Sequence, residues 1–128
     1  ADAVEIARAF KAAGADMIDC SSGQVSAQQK PTYGRMYQTP FADRIRNEVD
    51  IATMAVGAIS EADHANSIIA AGRADLCAVG RPHLADPAWT LHETAKLQSR
   101  AITWPRPYES GREQLYREIS NKNRVTPA

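Results

Sequence analysis

Val4, Ala7, Phe10 and Ala13, with Ala3 and Ile6 beside them, recur at the spacing of one helix face, and Gly14 suits a C-terminal stop. ADMIDCSS (15–22) then forms a short apolar run that predicts a buried strand. A polar stretch of 17 residues follows, GQVSAQQKPTYGRMYQT, long enough to predict a binding loop rather than a plain connection. Thr39 and Pro40, cap and then first helical residue, open a helix over FADRIRNEV with the apolar stripe Phe41, Ile45, Val49. IATMAVG (51–57) predicts a second strand. Ser60 and Asp63 stand at capping-box-like spacing before ADHANSIIAAG, a helix that closes on Gly72. ADLCAVG (74–80) predicts a third strand, and Asp86-Pro87 starts a helix over AWTLHETAKLQS. TWPRPY breaks the pattern with two prolines. Ser110 and Glu113 cap a last helix, SGREQLYREIS, and the polar end NKNRVTPA predicts fraying.

Apolar strands alternating with amphipathic helices predict a parallel sheet covered by helices. Three strands make a very small sheet, which leaves a small open α/β domain or one segment of a barrel. The chain opens without methionine, inside a helical pattern, and this favours a segment of something longer. Exposed parallel edges also make a dimer or higher assembly an expectation.

Composition narrows the function classes more than it names one. The chain has 128 residues, the size of one ordinary domain, with 44% hydrophobic and 23% charged residues, which excludes a disordered tail. Fifteen basic residues balance fifteen acidic ones, so no overall field favours nucleic acid or an anionic membrane. No apolar run approaches the roughly 20 residues of a membrane helix, and the acidic opening is no signal peptide. Cys20 and Cys77, each within an apolar run, read as free thiols of a reducing cytosol, so the expected location is cytoplasmic.

The candidate chemistry lies where the predicted strands end. Ligands of open α/β sheets and of βα barrels gather at the carboxyl ends of the strands. Here those ends read CSSG, AVGAIS and AVGRP. Gly57 and Gly80 let backbone amides approach a ligand with no β-carbon in the way, and Arg81 adds a permanent forked charge suited to phosphate oxygens. A glycine after a strand is common in any βα turn. A turn needs no arginine, so Gly80-Arg81-Pro82 is the more specific feature.

AVGAIS, AGRADLCAVGRPHLADPAW, DMIDCSSG and PFADRIRNEVDIATMAVG together resemble the C-terminal half of the Old Yellow Enzyme family of NADH:flavin oxidoreductases. The resemblance covers about residues 1–107, under half of a family barrel, and leaves 108–128 as a C-terminal helix and polar tail. It implies that the chain is the C-terminal segment, about three βα units, of a TIM (β/α)8 barrel that carries FMN. By this resemblance amides at Gly57 and the Gly80-Arg81 pair hold the FMN phosphate, and Ala58, Val79 and Ser22 line the same mouth. The implied reaction is an NAD(P)H-driven, ene-reductase type reduction on a small-molecule acceptor. The family's flavin-ring contacts, substrate-carbonyl pair and tyrosine proton donor belong to the N-terminal half, the implied partner. No residue of this chain is therefore expected to be catalytic, and the chain alone is expected to be inactive.

The tail WPRPYESGREQLYR resembles that of the bifunctional salicylyl-CoA hydroxylase type, in which a flavin monooxygenase precedes an Old Yellow Enzyme-like module. Simpler members end near QYERGW, with an arginine that reaches a neighbouring subunit. Tyr108-Glu109 match that ending, but Ser110 replaces the arginine and Arg112 falls two places later. Lys30, Tyr33, Arg35 and Tyr37 in the long loop suit an anionic or acyl-CoA substrate, with solvated loop residues as the plainer reading.

Two other classes stay open. One is a non-catalytic α/β module that binds a phosphate-bearing ligand. The other is a different phosphate-binding TIM-barrel enzyme, against which the L-x-D-P-x-W after Arg81 speaks. A hydrolase triad from Ser21 or Ser22, His64 and Asp19 lacks its Gly-x-Ser-x-Gly elbow, and His64, His83 and His92 lack metal-ligand spacing. His83 follows the arginine turn and reads as a capping or surface residue. Trp89 and Trp104 read as packing residues, and Phe41, Ile45 and Leu91 as core.

Overall fold

The computed structural model describes residues 2–22, 26–30 and 33–125. The chain divides into two compact units, residues 1–80 and 81–128. The first holds helix α1 (Asp2–Ala12), strand β1 (Met17–Cys20), helix α2 (Thr39–Val49), strand β2 (Ala52–Val56), helix α3 (Ala62–Ala70) and strand β3 (Leu76–Ala78). The second holds helices α4 (Arg81–Ala85), α5 (Trp89–Lys96) and α6 (Glu109–Val125), with a 3-10 turn at Arg106–Tyr108 before α6.

The three strands form one parallel sheet in the order β1-β2-β3, so the predicted α/β alternation is present. Register puts Cys20, Ala55 and Cys77 in one row, with Ile18 opposite Thr53 in the same set. These residues turn toward the helices, where Val4 and Ala7 of α1, Ala42, Ile45 and Val49 of α2, and Ile68 of α3 complete the core. Alternation sends Met17, Asp19, Ala52, Met54, Val56, Leu76 and Ala78 to the other face, outside that core. Within the first unit the helices thus bury one face of the sheet, not the two expected of a parallel sheet.

Several local expectations are corrected. In the buried stripe of α2, Ile45 and Val49 are present as predicted, but Ala42 takes the place of Phe41, which is 48% exposed. The cap of α2 is Gln38 rather than Thr39, whose buried hydroxyl has no partner among the described residues. The cap of α3 is Glu61, so the Ser60–Asp63 box does not open that helix. Arg81 and Pro82, read as part of a turn, open the short helix α4. Asp86 then folds the chain toward α5: its carboxylate accepts from the Ala88 N–H at 3.0 Å and pairs with His92 at 2.5 Å. In the second unit Ala95, Trp104 and Tyr116 are buried together, with Leu91 only partly buried beside them. The last helix extends through Val125 instead of fraying at 121.

At the amino ends of the strands Arg46 forks onto Asp75 (3.0 and 3.3 Å) and reaches the Gly72 carbonyl at 2.9 Å. Asp75 also accepts from the Thr53 N–H at 2.9 Å, which locks the entry of β3 to β2. The Arg46 bond, then the Thr53 N–H, holds the Asp75 carboxyl below its ordinary value. A depressed acid contributes stability above its unfolded pKa, about 3.9, and loses it as pH falls through the folded value. Asp75→Asn is therefore expected to lower Tm clearly at pH 7, with the gap from wild type closing toward pH about 2. Thermal melts at the two pH values check this.

Candidate functional site

The carboxyl ends of β1, β2 and β3 lie on one edge of the sheet, and the first unit brings Ser22, Gly57, Ala58, Val79 and Gly80 there. Ser22 is exposed, and its N–H donates to Oε1 of Gln38. Val79 packs against the core, so at this edge it presents main chain and not its side chain. Arg81 follows Gly80 along the chain, is exposed, and makes no ion pair among the described residues.

The two glycines stand in different situations. Gly57 has φ +110°, and a β-carbon built there would lie 2.6 Å from Nε2 of Gln38 and 2.8 Å from Cε1 of Tyr37. The fold itself therefore requires this glycine. Gly80 has ordinary φ, and a β-carbon there would meet nothing within 4 Å. No neighbour requires its small size, and its main chain is open to approach. Ala58 continues the turn at φ +51°, a left-handed conformation that a side chain adopts at some cost. Beyond the strands, the N–H groups of Ala58 and Gly80 have no acceptor among the described residues. The Ala58 and Gly80 amides without acceptors and the open main chain at Gly80 are suited to bind an anion.

Sequence reasoning missed Gln38. It is 4% exposed, accepts from Ser22 with Oε1, and donates from Nε2 to the Val56 carbonyl at 3.1 Å. A glutamine ahead of Thr-Pro looks like any polar loop residue, and only the fold sets it between two strand ends. The loop's Tyr33 and Tyr37 meet edge to face with centroids 5.3 Å apart, while Lys30 and Arg35 are exposed. Loop residues 23–25 and 31–32 lie outside those described.

Other candidate chemistry is absorbed elsewhere. Burial, and then the neighbouring Asp19 charge, push the Cys20 thiol up to about 11, so it stays protonated and is no nucleophile at neutral pH. Cys77 is half-buried, raised by burial, and also free. His64 is buried on α3 with Glu61 at 4.0 Å and bonds neither serine nor Asp19 among the described residues, so no triad forms. His83 bonds the Thr90 hydroxyl at 3.2 Å and lies edge-on to Trp89, and α5 has no side-chain cap bond, so the expected capping role is not seen. Arg112 is drawn to Glu113 at 2.9 Å, and Glu113 also takes Arg100 at 3.0 Å. A groove lined by Arg46, Asn47, Asp50, Ile51, Ala52 and Asp75 lies at the amino ends of the strands, where Arg46 and Asp75 pair with each other.

The chain is similar to known proteins over most of its length. The model of the NADH:flavin oxidoreductase / NADH oxidase family matches residues 1–100. The chain is 40% identical over 111 residues to an NADPH dehydrogenase of Bacillus subtilis strain 168, covering 87% of this chain and 32% of that protein. It is 40% identical over 108 residues to an NADPH dehydrogenase of Halalkalibacterium halodurans, with 84% and 31% covered. A third NADPH dehydrogenase, from Geobacillus sp. strain WCH70, is 41% identical over 110 residues, with 86% and 32% covered. The chain thus spans about a third of the length of these relatives. The match takes in every strand of the sheet and the Gly80-Arg81 step, and the chain belongs to the NADH:flavin oxidoreductase / NADH oxidase family.

Proposed function

We propose that this chain supplies the FMN phosphate-binding portion of an FMN-dependent NAD(P)H oxidoreductase, with its three βα units forming the C-terminal segment of a (β/α)8 barrel. The observation that carries the reading is the strand edge: beside the Gly57 turn the amides of Ala58 and Gly80 are without acceptors among the described residues, and Arg81, next along the chain, has no ion pair among them. A phosphate monoester fits that donor set, since its oxygens accept from amides and its charge is neutralised by a guanidinium. Bound there, FMN supplies hydride chemistry between a reduced nicotinamide and an organic acceptor.

The role of this chain's own groups is to hold and orient. Gly57 and Ala58 present main-chain donors from a turn that the 33–38 loop braces. Gly80 leaves room for the ligand, and Arg81 anchors its charge. Ser22 contributes a hydroxyl at the rim. The flavin-ring contacts and the proton donor are assigned to the rest of the barrel, so the chain by itself is an inactive half-site. Lys30 and Arg35, exposed beside Tyr33 and Tyr37, suit an anionic or acyl-CoA substrate, and the tail's resemblance to the salicylyl-CoA hydroxylase type, with its preceding monooxygenase, points the same way. Among the described residues no helix is long and apolar enough to cross a membrane. We place the protein in the cytoplasm and expect self-association where the sheet edges at β1 and β3 stay unpaired.

Amide-resolved NMR of the chain tests the reading. Addition of FMN is expected to shift the Gly57, Ala58 and Gly80 amides, and riboflavin, which lacks the phosphate, is expected to leave them in place. Equal shifts with both ligands, or none with either, contradict it.

A further inference from the structure

We propose that Gln38 is a positioning residue for the phosphate site: its carboxamide clamps the ends of β1 and β2 and so sets the turn that presents the Gly57 and Ala58 amides. This rests on the phosphate reading given above and adds a residue and a device to it. Gln38 is buried, and its two polar atoms face opposite requirements. The Ser22 N–H needs an acceptor and the Val56 carbonyl needs a donor, so only one orientation of the amide serves both. Val56 directly precedes Gly57, and Nε2 of Gln38 lies 2.6 Å from where a Gly57 β-carbon would be.

The residues around it reinforce the clamp. Tyr37 packs beside Gly57, and the Met36 N–H donates to the Ala58 carbonyl at 3.3 Å. Met36 (φ 54°) and Ala58 (φ 51°) are both left-handed, so two unfavourable conformations are joined by that hydrogen bond. Strain of this kind persists only where surrounding bonds over-determine it. Here three consecutive residues, 36 to 38, grip the three residues 56 to 58 through a backbone bond, a ring contact and a side-chain bond. The 57–58 amides are thereby held in place before any ligand arrives.

The test uses a substitution that keeps the shape and makes the donor titratable. In Gln38→Glu the protonated carboxyl still donates to Val56 and accepts from Ser22, whereas the ionised carboxylate repels the Val56 carbonyl. FMN affinity is measured by flavin fluorescence on the 128-residue chain at pH 5 and pH 8, always relative to wild type at the same pH. That ratio removes the ionisation of FMN's own phosphate, whose second pKa is about 6. At pH 8 Gln38→Glu is expected to bind about tenfold more weakly than wild type, and at pH 5 to recover to within about twofold. Gln38→Leu, which lacks both bonds, is expected to be weak at both.

A Gln38→Glu affinity equal to wild type at both pH values overturns the clamp while leaving the phosphate reading standing. So does a loss that is the same at both, which would mark Gln38 as serving the fold alone. Wild type binding FMN no better than riboflavin removes the phosphate reading, and the role of Gln38 in it falls as well.

Discussion

Gly57→Ala is expected to destabilise the first unit by about 3 kcal/mol, while Gly80→Ala leaves stability within about 0.5 kcal/mol of wild type. The two substitutions add the same methyl group to the same kind of position, the residue just past a strand. At Gly57 the new carbon meets Gln38 at 2.6 Å and the Tyr37 ring at 2.8 Å, on a backbone with φ +110°. Neither neighbour gives way cheaply, because the Gln38 amide is bonded at both ends and the ring is held by the loop. At Gly80 the carbon enters open space with ordinary φ, and the slight loss of unfolded-chain freedom works in its favour. FMN binding should respond in the opposite sense. Gly80→Ala is expected to weaken it by about tenfold at unchanged stability, because the methyl group stands in the approach to the phosphate. Denaturant melts and flavin titrations of the two variants check both halves. A Gly80→Ala variant that binds FMN as wild type does would make Gly80 a plain turn residue.

This pair also shows what the sequence discloses and what it does not. Both glycines follow apolar strands, and in one dimension they look alike. Their difference lies in the 33–38 loop, which returns to Gly57 and leaves Gly80 clear. The βα alternation was legible because strand runs and helix faces obey local periods, and Gly14 and Gly72 fall just past α1 and α3 as read. Phe41 misled because periodicity gives the face of a helix only to within about one residue, and Ala42, small and wholly buried, marks the true stripe of α2. Ser60 misled because a capping box is a local preference that tertiary context overrides, and the helix begins after Glu61. Gln38 was invisible for a different reason. A buried amide serving two backbone groups on different strands leaves no periodic trace.

Arg81 carries the second large effect. It is an exposed guanidinium with no ion pair among the described residues, directly after a glycine whose main chain is open. Some arginines of this chain are held by carboxylates, as Arg46 is by Asp75 and Arg73 by Asp43 at 2.9 Å, and Arg81 is not. Its forked donors are open to a ligand, and a charge-assisted contact to phosphate corresponds to about ten- to a hundredfold in affinity. The substitution should leave stability nearly unchanged, which separates loss of the ligand contact from loss of the fold.

The measurement that bears most directly on the account is a fluorescence titration of the 128-residue chain with FMN and with riboflavin, in wild type and in Arg81→Ala. Saturable FMN binding by wild type, at least about tenfold tighter than riboflavin, is the predicted result, with Arg81→Ala bringing FMN down to the riboflavin level. FMN and riboflavin binding alike, or Arg81→Ala holding FMN as tightly as wild type, would contradict a phosphate site at the strand ends.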